Sequence, residues 1–457
     1  QMQIEELIRA QREFFHTGKT LDVSFRIQAL SRLEESILKH EKELETALEK
    51  DLGKSRMESY ICETGLSLSE IRYIRRHVRS WSRDRRVRTP LAQFVSKSFT
   101  VQEPYGVTLI MSPWNYPVLL TLEPLAGALA AGNCCVVKPS AYSPHVSAVL
   151  AALIKEAFPE KYVSVVEGGR AENQSLLEQH FDYIFFTGGV NVGKMVMEKA
   201  SVHLTPVTLG LGGKSPCIIE KTADLKLAAR RVAFGKYLNC GQTCVAPDYV
   251  LAERCVKDEF VRLVKEETVK MYGEHPLENP LYGKIINRKH FDRILGLLSR
   301  EKLVLGGESD PETLKIAPSI LDGVLETDPI MQEEIFGPVM PVLAVDSMDE
   351  ACRFVKGRPS PLALYLFTGD RNVERRFLRE VPFGGGCIND TIIHLATPYM
   401  GFGGVGNSGM GSYHGKKSFQ TFSHEKSIVK KATWLDLPMR YQPYSPGKEK
   451  LVRFFVK

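Results

Sequence analysis

The sequence predicts an α/β protein built on a doubly wound parallel sheet. Between Gly106 and Ala200, short apolar stretches of strand type alternate with stretches of helical periodicity. This alternation is typical of β-α-β units, which place parallel strands in one sheet and helices on its faces. A length of 457 residues exceeds the size at which one hydrophobic core keeps growing, so two or three domains are expected.

The elements can be placed along the chain. Strands are predicted at residues 107–111, 134–137, 163–166 and 183–186, and helices at 117–131, 144–158, 172–179 and 192–200. Residues 3–50 and 55–79 have helical spacing, and further strands and helices follow from residue 217. Two isolated strand-like stretches, 98–102 and 427–429, are interpreted as arms, and the glycine-rich residues 382–411 as a long functional loop.

Polar residues follow several of the predicted strands. Asn115 comes after the first strand, Lys138 after the second, and a turn from Thr187 to Gly193 after the fourth. Each has an ordinary explanation: a helix cap, a solvated lysine, and a glycine turn that lacks the G-x-G-x-x-G pattern. Because the carboxyl ends of parallel strands meet at one edge of a sheet, the three loops together predict a ligand site there.

A segment with two thiols, Tyr237–Pro247 (YLNCGQTCVAP), offers the best candidate nucleophile. Cysteine can add to a carbonyl carbon and later leave, although an unperturbed thiol is only slightly ionised near pH 7. Two buried core cysteines are the ordinary alternative. Of the two, Cys244 is favoured as the nucleophile and Cys240 as its neighbour.

Composition argues against several classes of function. The net charge of +6 is small, and the basic residues 72–88 fit a solvated helix face, so nucleic-acid binding is not expected. The longest apolar stretch, residues 118–137, is interrupted by a glutamate, a proline and a glycine, so no membrane span is expected. Nine cysteines without framework or metal-ligand spacing indicate reduced thiols, no metal site and a cytoplasmic setting. Gln1 precedes Met2 and is interpreted as an addition to the natural chain.

With these pieces in place, the sequence resembles an aldehyde dehydrogenase, and within that family the class 3 branch. Seven motifs occur in the family's order and spacing: PWNYP at 113, VVKPS at 136, FTGG at 186, LGGKSP at 211, NCGQTC at 239, EEIFGP at 333 and GFGGVGNSGMGSYHGKKSF at 401. The resemblance covers almost the whole chain.

The resemblance implies a Rossmann-like cofactor domain, an α/β catalytic domain and a small β oligomerisation arm. Residues 1–81 and 106–208 would bind NAD or NADP, residues 209–396 would form the catalytic domain, and residues 82–105 and 397–457 the arm, active-site loops and tail. Relatives of this branch oxidise fatty or aromatic aldehydes to acids and are commonly dimers. Some relatives end in a membrane-spanning tail, but this chain ends at RFFVK, so no anchor is expected.

The resemblance also implies roles for individual residues. Cys244 would attack the aldehyde, and the amide of Asn115 with the backbone N–H of Cys244 would hold the oxyanion. Lys138 would bind the adenosine ribose, the Thr187–Gly193 turn would approach the pyrophosphate, and Glu334 with Phe336 would position the nicotinamide and its ribose. The cofactor-binding residues implied by the motifs are Trp114, Lys138, Ser140, Thr187, Gly188, Gly189, Gly193, Leu211, Gly212, Glu334 and Phe336. The substrate pocket is expected to draw on residues 60–66, Trp114, Leu119, the 382–411 loops and the tail.

Two positions depart from the family's pattern. Where the family reads LELGG, this chain has Gly210, so the glutamate that acts as general base towards water is missing. Because a general base is typically worth about 10²–10⁴ in rate, slow hydrolysis of the acyl-enzyme is expected. Ala141 occupies the position at which relatives have a glutamate that binds the ribose hydroxyls. Without that carboxylate a 2′-phosphate is repelled less, which favours acceptance of NADP as well as NAD.

The missing base leaves alternatives open. The change was introduced to trap an intermediate, or Glu333 or Glu334 takes over, or another acceptor receives the acyl group. The last case corresponds to a CoA-acylating aldehyde dehydrogenase. A homologue that binds a dinucleotide without catalysis is the remaining alternative.

Overall fold

The computed structural model describes residues 3–456, so Gln1, Met2 and Lys457, and with them the interpretation of Gln1, lie outside it. The helices are α1 (Ile4–His16), α2 (Val23–Lys39), α3 (Glu41–Leu52), α4 (Arg56–Ser59), α5 (Gly65–Trp81), α6 (Leu119–Ala131), α7 (Pro144–Ala157), α8 (Arg170–Leu177), α9 (Val190–Ser201), α10 (Leu225–Tyr237), α11 (Arg254–Tyr272), α12 (Arg288–Gly296), α13 (Met348–Lys356), α14 (Arg371–Glu380), α15 (Lys416–Thr421) and α16 (Pro446–Phe455).

The strands belong to four sheets. They are β1 (Arg85–Val87), β2 (Ser96–Pro104), β3 (Val107–Met111), β4 (Cys134–Lys138), β5 (Val163–Val165), β6 (Tyr183–Gly188), β7 (Val207–Leu211), β8 (Pro216–Ile219), β9 (Tyr249–Glu253), β10 (Leu303–Leu305), β11 (Ser309–Asp310), β12 (Lys315–Ile316), β13 (Ser319–Leu321), β14 (Val339–Val345), β15 (Ala363–Phe367), β16 (Gly385–Ile388), β17 (Gly409–Met410) and β18 (Ser423–Lys431).

The first large sheet confirms the predicted doubly wound α/β fold. Its strand order is β17-β7-β6-β3-β4-β5, and all pairs are parallel except β17 with β7. From β3 the chain winds outward through β4 and β5, then returns to add β6 and β7 on the other side of β3. The order therefore reverses between β3 and β6, which is where doubly wound sheets bind ligands.

Burial explains why these segments form a sheet covered by helices. Every residue of β3 and β4 is buried, as expected for strands that are apolar on both faces. Every residue of α6 is buried too, because this helix packs against α2, α5 and α15. The uninterrupted apolar character of residues 118–137 thus reflects a core helix and a core strand.

The second large sheet has the order β10-β13-β14-β9-β8-β15-β16, with β10 antiparallel and the other pairs parallel. The chain enters it directly from the first sheet, since only residues 212–215 separate β7 from β8. The carboxyl edge of the first sheet therefore faces the amino edge of the second, and the predicted site residues lie on both edges.

The two predicted arms pair with each other. β2 and β18 form an antiparallel ladder from Ser96↔Lys431 to Pro104↔Ser423, and β1 extends it to three strands. Both strands are longer than the stretches 98–102 and 427–429 expected from the sequence. All but the end residues of β18 are exposed, and because successive side chains point to opposite faces, both faces of the sheet are open to solvent at this strand.

Some boundaries differ from the sequence-based expectation. The glycine-rich residues 382–411 are not wholly loop, because they contain β16 and β17, whose glycines permit close backbone pairing. The expected boundary at residue 209 lies inside β7, which pairs with β6 along its whole length. The predicted helix 288–300 ends at Gly296. Among residues 3–456, no helix has both the length and the apolar character needed to cross a bilayer.

Candidate active site

Cys244 follows a backbone turn in an unusual conformation. After α10 ends at Tyr237, Asn239, Cys240 and Gly241 all have positive φ angles of 50°, 55° and 74°. The left-handed conformation costs a non-glycine residue roughly 1–2 kcal/mol, so the surroundings must hold this turn in place. At Gly241 a side chain cannot fit, because a Cβ there would lie 2.1 Å from the carbonyl oxygen of Gly337.

Gln242 supplies much of the restraint. This side chain is fully buried and donates from Nε2 to the carbonyl oxygens of Asn239 and Lys284, both at 3.0 Å. Its Oε1 accepts from the backbone N–H of Ile286 at 3.0 Å. Both N–H groups and the oxygen of the amide are therefore hydrogen-bonded. These three bonds hold the turn before Cys244 against the Lys284–Ile286 segment.

The Asn115 loop, which follows β3, is hydrogen-bonded to this turn in both directions. Asn115 Nδ2 donates to the carbonyl oxygen of Gln242 at 3.1 Å, and Asn239 Nδ2 donates to the carbonyl oxygen of Asn115 at 2.9 Å. The structure thus brings together the predicted oxyanion donor and the segment that carries the predicted nucleophile.

A buried ion pair supports the same loop. Lys54 Nζ donates to Glu63 Oε2 at 2.7 Å and to the carbonyl oxygen of Asn115 at 2.9 Å, and both side chains are almost fully inaccessible. Glu63 Oε1 accepts from the backbone N–H of Val118 at 2.9 Å. Because each partner also bonds to the backbone of the loop, the pair fixes the loop geometry. Removing either partner would leave an uncompensated buried charge, so both side chains are held in place.

The thiol of Cys244 lies in an environment that disfavours its ionisation. Burial, and then the nearby carboxyl of Glu334, raise its pKa to about 12, although the backbone N–H groups of Cys244 and Val245 partly offset this. Burial, followed by Asp248, also raises the pKa of Glu334 to about 8. A positive charge placed beside the sulfur would therefore be needed to form the thiolate near neutral pH.

A cavity of about 210 Å³ opens beside Cys244. Its wall is largely apolar: Ile61, Leu66, Leu119, Leu120, Phe234, Leu238, Val245, Ile392, Ile393, Leu395, Ala396 and Phe402. Polar and sulfur-bearing residues complete it: Cys62, Tyr116, Glu123, Thr243, Cys244, Tyr413 and His414. The sequence anticipated the contributions of residues 60–66, Leu119 and the 382–411 loops.

Several lining residues were missed by the sequence analysis. Glu123 lies in the fully buried α6, and Phe234 and Leu238 lie at the end of α10, where helical periodicity does not indicate which residues face a cavity. Trp114, expected in the pocket, does not line it. Its ring instead makes an edge-to-face contact with Phe336, with centroids 5.3 Å apart.

On the other side of the site, the loop after β6 forms a cradle at the start of α9. Thr187 Oγ1 is buried and has no hydrogen-bond partner among residues 3–456. Gly189 precedes the first helical residue, and a Cβ there would meet no atom within 4 Å, so the space above it is open. A Cβ on Gly193 would lie 2.5 Å from Leu211, which shows how closely α9 approaches β7.

Lys138 ends β4 at the same edge. Its Nζ donates to the carbonyl oxygens of Pro139 at 2.7 Å and Gly168 at 2.6 Å, and burial lowers the pKa of its ammonium group. An ammonium group has three N–H donors, so a third remains for a ligand. Ser140, the next predicted residue, accepts from the backbone N–H of Tyr142 at 3.2 Å and is half-buried.

The Glu334 segment contacts the end of β7. A Cβ on Gly212 would lie 2.3 Å from Glu334 Oε2, so the carboxyl group fits only because residue 212 has no side chain. The backbone N–H of Gly213 donates a hydrogen bond to this carboxyl group. Lys214 Nζ holds the segment by donating to Asp248 Oδ2 at 2.5 Å and to the carbonyl oxygen of Glu333 at 2.8 Å. Phe336 has a positive φ of 50° at the following turn.

Gly210 lies at the centre of this edge. It pairs with Thr187 on one side and Gly409 on the other. A Cβ at Gly210 would meet Thr187 Oγ1 at 3.4 Å and Thr187 Cγ2 at 3.5 Å, which are ordinary contacts. The backbone therefore accepts a side chain at residue 210.

Together these residues fit a nicotinamide dinucleotide. The N-terminal N–H groups of α9 and the open surface above Gly189 suit a pyrophosphate, and the orphaned hydroxyl of Thr187 lies beside them. The Lys138 ammonium ends β4 of the first sheet and the Glu334 carboxyl lies against the end of β7, so each offers a polar partner for a ribose hydroxyl. The predicted nucleophile, Cys244, and the apolar cavity beside it lie next to that groove.

Comparison with known proteins agrees with this geometry. The model of the "Aldehyde dehydrogenase family" matches residues 1–428. The chain belongs to the aldehyde dehydrogenase family. It is therefore an oxidoreductase that oxidises aldehydes, and the resemblance inferred from the seven motifs, including the class 3 branch, is confirmed.

The similar proteins extend over the whole chain. The 4,4'-diaponeurosporen-aldehyde dehydrogenase of Staphylococcus aureus is 47% identical over 456 residues, which cover 99% of each chain. The dimeric NADP-preferring aldehyde dehydrogenase of Rattus norvegicus is 43% identical over 450 residues, covering 98% of this chain and 99% of that protein. A substrate-bound structure of Staphylococcus aureus AldH is 46% identical, covers 100% of each chain and superposes with a TM-score of 0.98.

The left-handed turn gives a first prediction. Gly241→Ala should lower the free energy of unfolding by about 2–4 kcal/mol, because the new Cβ meets Gly337 and the φ angle of 74° disfavours alanine. Chemical denaturation measures the change. Gly296→Ala is the matched control, since a Cβ there meets no atom within 4 Å and should change stability by about 1 kcal/mol or less. Equal effects of the two substitutions would contradict this account of the turn.

The pKa of Cys244 gives a second prediction. Without cofactor, its alkylation by iodoacetamide should rise about tenfold per pH unit between pH 9 and 11, where Glu334 is already ionised, because the thiolate fraction rises towards a pKa of about 12. Glu334→Gln should speed the reaction roughly threefold to tenfold at pH 9, since removing that negative charge lowers the pKa of the thiol.

Peptide mass spectrometry separates Cys244 from the exposed Cys255. Glu333→Gln serves as control, because Glu333 is exposed and 3.8 Å from Arg293. A plateau of the alkylation rate below pH 9 would show that the thiol is already activated in the free enzyme.

Proposed function

We propose that this enzyme oxidises apolar aldehydes, fatty or aromatic, to carboxylic acids through a thioester on Cys244, with NAD or NADP as the oxidant. The observation that carries the proposal is the position of Cys244 between an apolar cavity and a groove suited to a dinucleotide. Such a cavity binds hydrocarbon by removing its surface from water. The diaponeurosporen-aldehyde relative acts on an apolar aldehyde and the dimeric relative prefers NADP, which supports both parts.

The first half of the reaction uses groups that the two loops hold in place. The Cys244 sulfur attacks the carbonyl carbon, and the resulting oxyanion is held by Asn115 Nδ2 and the backbone N–H of Cys244. Asn115 uses one amide N–H on Gln242, so the second is free for the oxyanion. NAD or NADP, held by Lys138, the Thr187–Gly193 turn and Glu334, would supply the hydride acceptor and a positive charge that favours the Cys244 thiolate.

The second half, hydrolysis of the thioester, lacks its usual base because residue 210 is glycine. Glu333 is a poor replacement, since it is exposed and near Arg293. Glu334 is better placed, because it lies close enough for its negative charge to raise the pKa of Cys244. Its own pKa of about 8 leaves it mainly protonated at pH 7, and a protonated carboxyl group cannot act as a base. We therefore expect slow deacylation that speeds up as the pH rises through 8.

A rapid-mixing experiment tests the proposal. Wild-type enzyme mixed with an alkanal and NAD or NADP should give a burst of reduced cofactor, close to one equivalent, followed by slow turnover. Mass spectrometry should find the acyl group on Cys244, and Cys244→Ala should give neither burst nor adduct. Absence of a burst would favour a non-catalytic dinucleotide-binding protein. Turnover raised strongly by CoA, with acyl-CoA as product, would favour the acylating alternative.

Restoring the base gives a third prediction. Gly210→Glu should raise steady-state turnover at pH 7 by at least about tenfold, because a general base contributes about 10²–10⁴ and the backbone has room for the side chain. The burst rate should change much less. Gly210→Gln fills the same space without a base and should leave turnover slow. If turnover rises equally in both variants, the effect is steric and the missing base is not the cause.

Cofactor choice gives a fourth prediction. Ala141 is exposed beside Lys138, so no carboxylate there repels a 2′-phosphate, and wild type should accept NADP and NAD within about a hundredfold in kcat/KM. Ala141→Glu should shift the preference towards NAD by roughly tenfold or more. Ala141→Gln controls for size. An unchanged ratio in Ala141→Glu would place the 2′ position elsewhere.

We also propose a homodimer formed through the three-stranded sheet. The edge strand β18 offers unpaired backbone groups, and its side chains, among them Ile428 and Val429, are exposed. Exposed long edges tend to pair with another chain, and the rat relative is dimeric. Light scattering should give twice the mass of one chain, and Val429→Lys should shift the particle towards monomer. A monomer at micromolar concentration would contradict this.

A further inference from the structure

A buried carboxyl group in the wall of the substrate cavity has no role in the chemistry above. Glu123 belongs to α6, is 4% exposed and lines the same cavity as Cys244. Its Oε2 atom is buried and has no hydrogen-bond partner among residues 3–456. Because buried polar groups are nearly always hydrogen-bonded, an unpartnered carboxyl at a cavity indicates a partner that comes from outside.

The neighbours of Glu123 do not satisfy it. His414 Nε2 lies 3.4 Å from Oε2, beyond the roughly 2.7–3.2 Å of an ordinary N–H···O bond. Burial lowers the pKa of His414 to about 4, so its ring is neutral near pH 7 and provides no positive charge. A second carboxyl group, that of Glu70, also lies near Glu123, and it accepts a hydrogen bond from the backbone N–H of Gly415.

These surroundings favour the protonated form of Glu123. Burial, and then the neighbouring Glu70, raise its pKa well above the ordinary value, and the basic residue beside it, His414, is neutral near pH 7. A protonated carboxyl group has an O–H donor as well as an acceptor. It therefore suits an oxygen atom that accepts a hydrogen bond inside an apolar cavity.

Glu123 and Cys244 face the same space. Both line the cavity together with Tyr413, whose pKa is raised by burial and then by the proximity of Glu123 and of Cys244. A substrate bound to the sulfur and filling this cavity would therefore meet the carboxyl. Of the other polar lining groups, the hydroxyls of Tyr116 and Thr243 are hydrogen-bonded to each other at 2.8 Å.

We propose that Glu123 donates a hydrogen bond to an oxygen on the substrate, so that the enzyme prefers apolar aldehydes carrying one accepting oxygen away from the reacting carbonyl. The proposal rests on the proposed function and specifies the substrate class of that same cavity. The apolar wall binds the hydrocarbon part, and the single carboxyl fixes where the oxygen lies. Sites with a buried polar group discriminate strongly against analogues that leave it unpaired.

The test compares an alkanal with isosteres in which an ether oxygen replaces one methylene at successive positions. The burst rate divided by aldehyde concentration is measured, because it does not depend on slow deacylation. In wild type one isostere should react faster than the alkanal. In Glu123→Met, a variant of similar length, every isostere should react more slowly than the alkanal, and the ratio should fall roughly tenfold or more.

Control variants make the outcome specific to the donor. Glu123→Gln keeps an N–H donor and should retain the preferred oxygen position, and Glu123→Leu replaces the methionine variant if that one does not fold. The same ratio in wild type and in the apolar variant would overturn the role of Glu123, while the alkanal burst would still support aldehyde oxidation. No burst with any aldehyde would overturn both the role of Glu123 and the proposed function.

Discussion

The active site depends on two loops that hydrogen-bond to each other's backbone. The Asn115 loop comes from the carboxyl edge of one sheet, and the Cys244 turn comes from the amino edge of the other. The Asn115 side chain donates to the carbonyl oxygen of Gln242, and the side chains of Asn239 and Lys54 both donate to the carbonyl oxygen of Asn115. Because each loop satisfies buried polar groups of the other, neither can move without leaving some of them unpaired. The position of Cys244, the proposed nucleophile, relative to Asn115, the proposed oxyanion donor, follows from that constraint.

The same constraint explains why strained backbone persists beside the sulfur. Asn239 and Cys240 adopt a conformation that most residues avoid, and Gly241 follows in a place where a side chain would clash. Gln242 and the Asn115 loop supply the hydrogen bonds that offset this cost. The strain therefore belongs to the preorganisation of the site, which holds reacting groups in position before substrate binds.

Much of this architecture could be predicted from sequence, because it depends on local patterns. Apolar strands, helical periodicity and turn residues indicated the parallel sheet and placed Asn115, Lys138 and the Thr187 turn at one edge. The cavity was harder to predict, since Glu123 and Phe234 lie in helices whose facing residues are decided by packing. The left-handed Cys240 gave no sequence signal either, since cysteine does not favour positive φ, and the neighbouring Asn239 and Gly241, which do, occur in many kinds of turn. The pairing of the two arms required long-range contacts that periodicity does not contain.

The short strand β17 connects β7 of the first sheet to the wall of the cavity beside Cys244. Gly409 lies so close to β7 that a Cβ would fall 1.9 Å from the carbonyl oxygen of Leu209, and five residues on, the same segment delivers His414 to the cavity wall. β7 itself is the strand against which α9 and the dinucleotide groove are built. Because β17 and β7 are in direct backbone contact, a displacement of β7 would also displace the segment that carries His414. If a ligand bound beside β7 displaced this strand, that ligand and one bound in the cavity would change each other's affinity by the same factor.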